Sequence, residues 1–440
     1  MANFSNSSIG EAVIKNFGKG IRSDFNRNGF YALRSAAIAS SFDVEGLTII
    51  NLLRYFPLET IYIDFQSLGQ YLDHWSQLLQ DRETIARTFF QPNIVEKSNF
   101  LQKPGQLSWS KETFTYKNLH RSFTGYFDLY IPRYHDPVPV IIISHGIASS
   151  RRTFAYLAKH LVSHGFAVVV IEHPDTNLDK FDGFLEGSEL FPQPINLIEQ
   201  PRDVQYVLDK LEQQAQTNPK LKNKLNLQQI GAIGQSFGGY TVLALGGGKL
   251  YRNEAAEECK EDQYDRVLLD LSSLAKCTFN DLPPHNYQLQ DKRIKAIIAI
   301  NPLGKIFGQE GISNIKIPTM IVSGTNDLIT PPVAEQIIPF SWLKTPQKYL
   351  VLVQPGTHFS FLEEGIGVLP VPNNLVGPSS RLAHPAIQAL STAFFKTYIA
   401  QESKYQVYLT RDRVAAINSL PFQLSLIRHF NNKQWTTNDK

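Results

Sequence analysis

Two hydrophobic periods divide the chain. From residue 9 to about residue 90, apolar side chains recur at helical spacing, as in Tyr31, Leu33, Ala37 and Ile38 and again in Leu68, Tyr71, Leu72, Trp75, Leu78 and Leu79, so this part is expected to be mostly helical. A polar stretch over 91–106 follows, holding Pro92, Pro104 and Gly105, and reads as a boundary loop. The expected division is a helical domain over 1–104 and a second domain over 105–440. In the second, Phe114, Tyr116, Phe123, Gly125, Phe127, Leu129 and Ile131 alternate with more polar neighbours, the pattern of antiparallel strands with one solvated face. The segments 138–144, 166–172, 229–234, 294–301, 319–323 and 349–353 are instead nearly continuous aliphatic runs, which predicts parallel strands covered on both faces. Helical patterns over 152–164 and 202–214 lie between the early ones and make βαβ units of a doubly wound sheet.

Some segments depart from this alternation. Between Gly248 and Ile294 the chain is charged and interrupted by Pro283 and Pro284, and it is longer than a crossover helix requires. An insertion over about 249–291 is expected, either a lid over the sheet edge or a decoration without gating. The longest apolar runs are strand-sized, well short of the ~18 residues of a spanning helix, so no membrane span is expected. The first residues, MANFSNSSIGEAVIKNFGKG, lack a basic segment followed by an apolar one. The chain as given is therefore expected to be soluble and cytoplasmic, with a periplasmic or exported location as the alternative if a leader precedes Met1.

Composition narrows the function classes. With 440 residues, 42% hydrophobic and 19% charged, the chain is of ordinary globular type. Its 43 Lys+Arg against 40 Asp+Glu leave a net charge of +3, far from the basic stripe that a phosphate backbone demands, and no nucleic-acid partner is expected. The two cysteines, Cys259 and Cys277, form no CxxC motif, and one bridge or two free thiols both remain open. Both fall inside the expected insertion.

The chemistry concentrates at one motif. A hydrophobic strand over 230–233 runs into Gly234-Gln235-Ser236-Phe237-Gly238 and then into the apolar stretch 240–245, a strand, a GxSxG turn and a helix. Such a turn holds its serine on strained backbone above the sheet, and the glycines are needed because side chains there would meet neighbouring chain. A serine hydroxyl needs a base to take its proton, and the base needs an acid to fix its tautomer. In nucleophile-elbow folds the order is Ser, Asp/Glu, His, with acid and base on loops after late strands. The strand over 318–323 leads into Asp327 and that over 349–353 into His358, each at the sheet edge where open α/β sheets gather their sites. Ser236, Asp327 and His358 are the expected triad, with Glu172 and Asp175 as rival acids. Of the 11 histidines only His358 has both the location and the order; His145, His164 and His173 precede the serine and are expected to hold loops or caps. The oxyanion of acyl transfer needs two donors, expected from the backbone N–H groups of Phe237, after the nucleophile, and Ile147, in the loop after the first buried parallel strand. Arg151 and Arg152 open the next helix, either as a solvated pair or as a seat for an anionic group. No HExxH, Cys/His, EF-hand, GxGxxG or P-loop pattern is present, and Gly246-Gly247-Gly248-Lys249 lacks the remaining parts of the last, so neither metal nor cofactor is expected.

These residues resemble the α/β-hydrolase superfamily, and within it the platelet-activating-factor acetylhydrolase and dienelactone-hydrolase-like group. The likeness rests on His145-Gly146-Ile147, on 161–169 leading to Glu172-His173, and on Gly234-Gln235-Ser236-Phe237-Gly238-Gly239. It implies a mostly parallel sheet with antiparallel first strands and an esterase of acyl-lipid or small-ester substrates, carboxylesterase- or lipase-like, acting in lipid degradation. In the mammalian acetylhydrolases the acid lies one strand earlier; here that place reads Ile300-Asn301-Pro302, so the resemblance makes Asp327 the acid, as in dienelactone hydrolases. The segments 28–36, 45–48 and 53–57 are similar to the end of the helical domain of exported bacterial members, which usually carry more chain upstream. A second, less complete resemblance is to bacterial cutinase-like polyester hydrolases, through Gly324-Thr325-Asn326-Asp327 with Pro331 and Gly356-Thr357-His358. Thioesterase and peptidase activities are further alternatives, because the same triad serves every acyl transfer; outside enzymes, the alternative is a non-catalytic binding module on the same fold.

Overall fold

A computed structural model of the protein describes residue 5, residues 8–24, 27–90, 96–118, 123–186, 193–251, 282–283, 287–364, 376–417 and 419–430, and residue 435. Most of the expected insertion, together with Cys259 and Cys277, lies outside the described residues.

The N-terminal part contains helices α1 (Ser8–Gly20), α2 (Phe30–Ser40), α3 (Ile49–Arg54) and α4 (Phe65–Phe89). Thr48 caps α3 by accepting the Asn51 N–H, and Asp64 caps α4 by accepting those of Gln66 and Ser67, which satisfies donors that a helix start leaves open. Between the helices run β1 (Ile21–Asp24), β2 (Arg27–Asn28) and β3 (Tyr62–Ile63), joined as a small antiparallel sheet in the order β2-β1-β3. The helical period did not announce this sheet, because strands of two to four residues are too short to show alternation. Ile14, Phe30, Leu33, Ala36 and Phe56 form a small core of their own, whereas Ile85 and Phe89 at the end of α4 pack into the main core.

The main body is built on β4 (Trp109–Asn118), β5 (Phe123–Pro132), β6 (Val138–Ser144), α5 (Ala155–Ser163), β7 (Ala167–Ile171), α6 (Leu178–Glu186), α7 (Asn196–Thr217), β8 (Leu225–Gln235), α8 (Phe237–Leu245), β9 (Ile294–Ile300), β10 (Thr319–Gly324), β11 (Lys348–Gln354), α9 (His384–Tyr398) and β12 (Gln423–Ile427). Among the described residues the strands form one nine-stranded sheet, ordered β12-β11-β10-β9-β8-β6-β7-β5-β4. The pairs β4–β5, β5–β7 and β11–β12 are antiparallel, and the five central pairings are parallel. The aliphatic runs are the parallel strands, buried along almost their whole length, and the alternating segment is the antiparallel β4–β5 pair. Helices α7 and α8 cover one face through residues such as Val204, Leu208 and Val242, while α5 and α9 cover the other through Leu157, Leu161, Phe394 and Phe395. Each such side chain contributes roughly 1.5–3 kcal/mol by leaving water. This is the α/β-hydrolase fold that the resemblance implied. Among the strands of this sheet, the antiparallel edge strand β12 is the one the reading of the sequence lacked; only five residues long and two positions after Pro421, it carries little periodic signal. Among the described residues, no helix is long and apolar enough to cross a membrane.

Candidate active site

The parallel strands deliver their carboxyl ends to one edge, and Ser236, Asp327 and His358 follow the ends of β8, β10 and β11 there. Ser236 stands between β8 and α8 with φ 57° and ψ −120°, a backbone conformation that costs an L-residue free energy and persists only where its surroundings impose it. They do so through contact. A Cβ on Gly234 would lie 2.1 Å from the Gly238 carbonyl oxygen, and one on Gly238 the same distance from that of Ser144. The turn can therefore be this tight, and this close to β6, only without side chains at those two positions.

The loop after β6 runs against the turn: a Cβ on Gly146 would sit 3.0 Å from that of Ser236. Within this loop the Ala148 N–H donates to the Thr176 carbonyl at 2.9 Å, but the Ile147 N–H, like that of Phe237 at the start of α8, donates to no acceptor among the described residues.

His358 Nδ1 lies 2.8 Å from Asp327 Oδ2. The carboxylate is held by more than the imidazole. Its Oδ1 accepts the N–H groups of Ile329 and Thr330, each at 2.9 Å, and its Oδ2 accepts the Thr330 hydroxyl at 2.8 Å. Both residues are buried, Asp327 at 1% exposure and His358 at 7%, so solvent does not compete for these bonds. Three supporting residues escaped the sequence reading. Asn301, at φ 43° just past β9, donates to the Thr357 carbonyl at 3.2 Å and accepts the Gly324 N–H at 2.9 Å, tying the acid loop to the base loop. Gln235 donates to the His358 carbonyl at 3.2 Å, linking the base loop to the residue before the serine. Thr330 completes the set. Asn301 was visible in the sequence only as the lack of a carboxylate, and Gln235 only as a variable position of the motif. The Ser236 hydroxyl itself makes no hydrogen bond to another described residue; catalytic contacts are often loose before substrate is bound.

The other candidates lie elsewhere. Glu172 does not face His358: it binds Arg151 through the guanidinium at 2.8 Å and through the backbone N–H at 3.2 Å. Arg151 is correspondingly half-buried and paired with two carboxylates. Burial opposes its charge, but Glu172 and Asp128 outweigh that and raise its pKa above the ordinary arginine value. Arg152 accounts for none of this pairing. His164 Nε2 donates to the Lys103 carbonyl at 3.1 Å, a loop contact. His145 and His173 are buried beneath the loop of Ile147. Among the described residues no group of His, Cys, Asp and Glu side chains is placed to hold a metal ion.

Burial, with His173 close by, pushes the pKa of His145 down to about 4, and burial with His164 beside it pushes that of His160 to about 3. Both are neutral when folded, whereas in the unfolded chain each takes a proton as the pH falls through about 6.5. Stability is then complete above that value and declines as the pH falls toward the folded values, by about 2 kcal/mol from His145 alone at pH 5. The urea midpoint is expected to be level from pH 8 to 7 and to fall between 6.5 and 5, above the range where carboxylates titrate. A midpoint unchanged across that interval would contradict the assignment.

Comparison with known proteins points to the same superfamily as the sheet. A family model described as an alpha/beta hydrolase of unknown function matches residues 1–64, and one described as platelet-activating factor acetylhydrolase, isoform II, matches residues 129–179, the stretch that contains β6 and the loop of Ile147. Platelet-activating factor acetylhydrolases of Canis lupus familiaris and Bos taurus are each 30% identical to the chain over the aligned part, which covers 24% of this chain and 31% of either relative. The chain thus spans about a third of the length of these curated relatives. The matches and the sheet together are consistent with the α/β-hydrolase superfamily and support a hydrolase of the lipase or esterase kind.

Proposed function

We propose that the protein is a serine carboxylic-ester hydrolase acting on lipid or small esters. The observation that carries this reading is the juxtaposition at one sheet edge of a serine on a strained strand-to-helix turn, two backbone N–H groups without acceptors, and a buried histidine oriented by a carboxylate. In this mechanism Ser236 Oγ attacks the acyl carbonyl while His358 Nε2 takes its proton. Asp327 holds the Nδ1–H tautomer and stabilises the imidazolium. The N–H groups of Ile147 and Phe237 receive the oxyanion, each worth roughly 10²–10³ in rate in comparable sites. His358 then returns the proton to the leaving alkoxide, the acyl group stays on Ser236, and a water deprotonated by His358 releases the acid. The likeness to platelet-activating factor acetylhydrolases favours a lipid ester as substrate. In this reading residues 1–104 are a helical domain and 105–440 the catalytic one, with Ile85 and Phe89 anchoring the first in the core of the second.

The test is covalent. A fluorophosphonate is expected to label the folded protein once, on the peptide carrying Ser236, and prior labelling is expected to abolish turnover of short p-nitrophenyl esters and of a phospholipid with a short sn-2 acyl group. Label on another peptide, or none on folded protein, would dismiss this function in favour of a binding module.

A further inference from the structure

Below the oxyanion loop lies a second Ser–His–Asp chain that the reaction does not use. Ser144, the last residue of β6, places its Oγ 2.9 Å from His173 Nε2, and His173 Nδ1 lies 3.2 Å from Asp203 Oδ2 on α7. The three are 0%, 1% and 1% exposed, so no substrate atom can reach this serine and it is no second nucleophile. Its place in the fold gives it another task. In the β6–β8 register Ser144 pairs with Gly234, the first glycine of the nucleophile turn, and the next residue along the chain begins the oxyanion loop.

That loop is tied down around the chain. The His173 N–H donates to His145 Nε2 at 3.0 Å, which leaves the His145 Nδ1–H to bond the Gly146 carbonyl at 2.8 Å. Gln200 on α7 donates to the His145 carbonyl at 2.9 Å and accepts the Thr176 hydroxyl at 2.7 Å, while the Thr176 carbonyl takes the Ala148 N–H. Loop groups on both sides of Ile147 are thus engaged from below, and the N–H left unengaged between them is the one beside Ser236. The carboxylate of Asp203 fixes the His173 tautomer with Nδ1 protonated, so Nε2 accepts the Ser144 hydroxyl. Every bond in the chain then has a defined direction, the condition under which a buried network holds one conformation. We propose that Ser144, His173 and Asp203 are positioning residues, a buried relay that aims the Ile147 N–H at the oxyanion. The proposal rests on the ester-hydrolase reading.

The relay is tested with His173→Phe, which keeps the ring volume and deletes both side-chain bonds, and with Asp203→Asn, which keeps shape and perturbs the tautomer. A residue that only supports the fold changes the amount of folded protein; one that aims a donor changes the chemistry of every folded molecule. The measurement is therefore kcat per fluorophosphonate-titrated site, beside KM and the affinity for a trifluoromethyl ketone, whose hemiketal with Ser236 places an oxyanion in the hole. His173→Phe is expected to lower kcat per site by about 10–100-fold and ketone affinity in parallel, since one donor is worth roughly 10²–10³, with KM within about threefold. Asp203→Asn is expected to follow in the same direction with a smaller loss, and decides the matter if His173→Phe does not fold. Values of kcat per site within twofold of the parent, in a chain that Ser236→Ala inactivates, overturn the relay alone. An active Ser236→Ala chain overturns the ester-hydrolase reading and the relay with it.

Discussion

Ser236→Ala is expected to lower kcat/KM for a short p-nitrophenyl ester by at least about 10⁴-fold, or about 5.5 kcal/mol of transition-state stabilisation, without unfolding the chain. The two halves of this expectation have separate causes. The catalytic loss follows from removing the atom that forms the acyl-enzyme; what remains is attack by water in the presence of His358 and two oxyanion donors, a background that in comparable sites still exceeds the uncatalysed rate. Retention of the fold follows from the backbone. The φ of 57° at position 236 is imposed by the approach of Gly238 to Ser144 and of Gly234 to Gly238, and alanine meets the same strain there as serine. The hydroxyl removed has no hydrogen-bond partner among the described residues, so no buried group loses one, and the stability change stays within about 1 kcal/mol. Activity within tenfold of the parent, measured on material free of parent enzyme, would place the nucleophile elsewhere.

The sequence was legible wherever a local pattern carries a physical requirement. Glycines at 234 and 238 are demanded by two carbonyl oxygens, and the motif shows both. The aliphatic runs are parallel strands because both faces are covered, and the loops after β10 and β11 fall at the same edge as Ser236 because β8, β10 and β11 run in the same direction. Long-range partners left less trace. Asn301, Gln235 and Thr330 matter through bonds to residues distant in the chain or to a neighbouring turn, and a single polar residue beside a strand end has no periodicity to betray it. Arg151 shows the opposite failure. Its position at the start of a helical pattern suggested solvent, whereas Asp128 on β5 and Glu172 just past β7 both pair with it. The same is true of Ser144, His173 and Asp203, whose order in the chain is that of no familiar motif and whose meeting depends on β6, β7 and α7 being stacked by the fold.

Asp327→Asn should be nearly as damaging as loss of the nucleophile, at about 10³–10⁴-fold in kcat with KM little changed, and the surrounding donors say why. Asparagine offers one acceptor and one donor where aspartate offers two acceptors. Because the Ile329 and Thr330 N–H groups both point at Oδ1, the amide oxygen is drawn to that side, and the amide NH₂ is left facing His358 Nδ1. The imidazole then accepts at Nδ1 and carries its proton on Nε2, the tautomer that cannot take one from Ser236. The Thr330 hydroxyl, displaced as a donor, has the Asn301 carbonyl within 3.2 Å as an alternative acceptor, so the substituted loop loses little polar satisfaction and the variant is expected to fold. The prediction is checked by kcat per fluorophosphonate-titrated site, with unfolding followed in parallel. A loss smaller than tenfold in folded protein would mean that another group orients His358, and with Glu172 engaged by Arg151 Asp175 is the remaining acid that the sequence offered, to be tested next as Asp175→Asn.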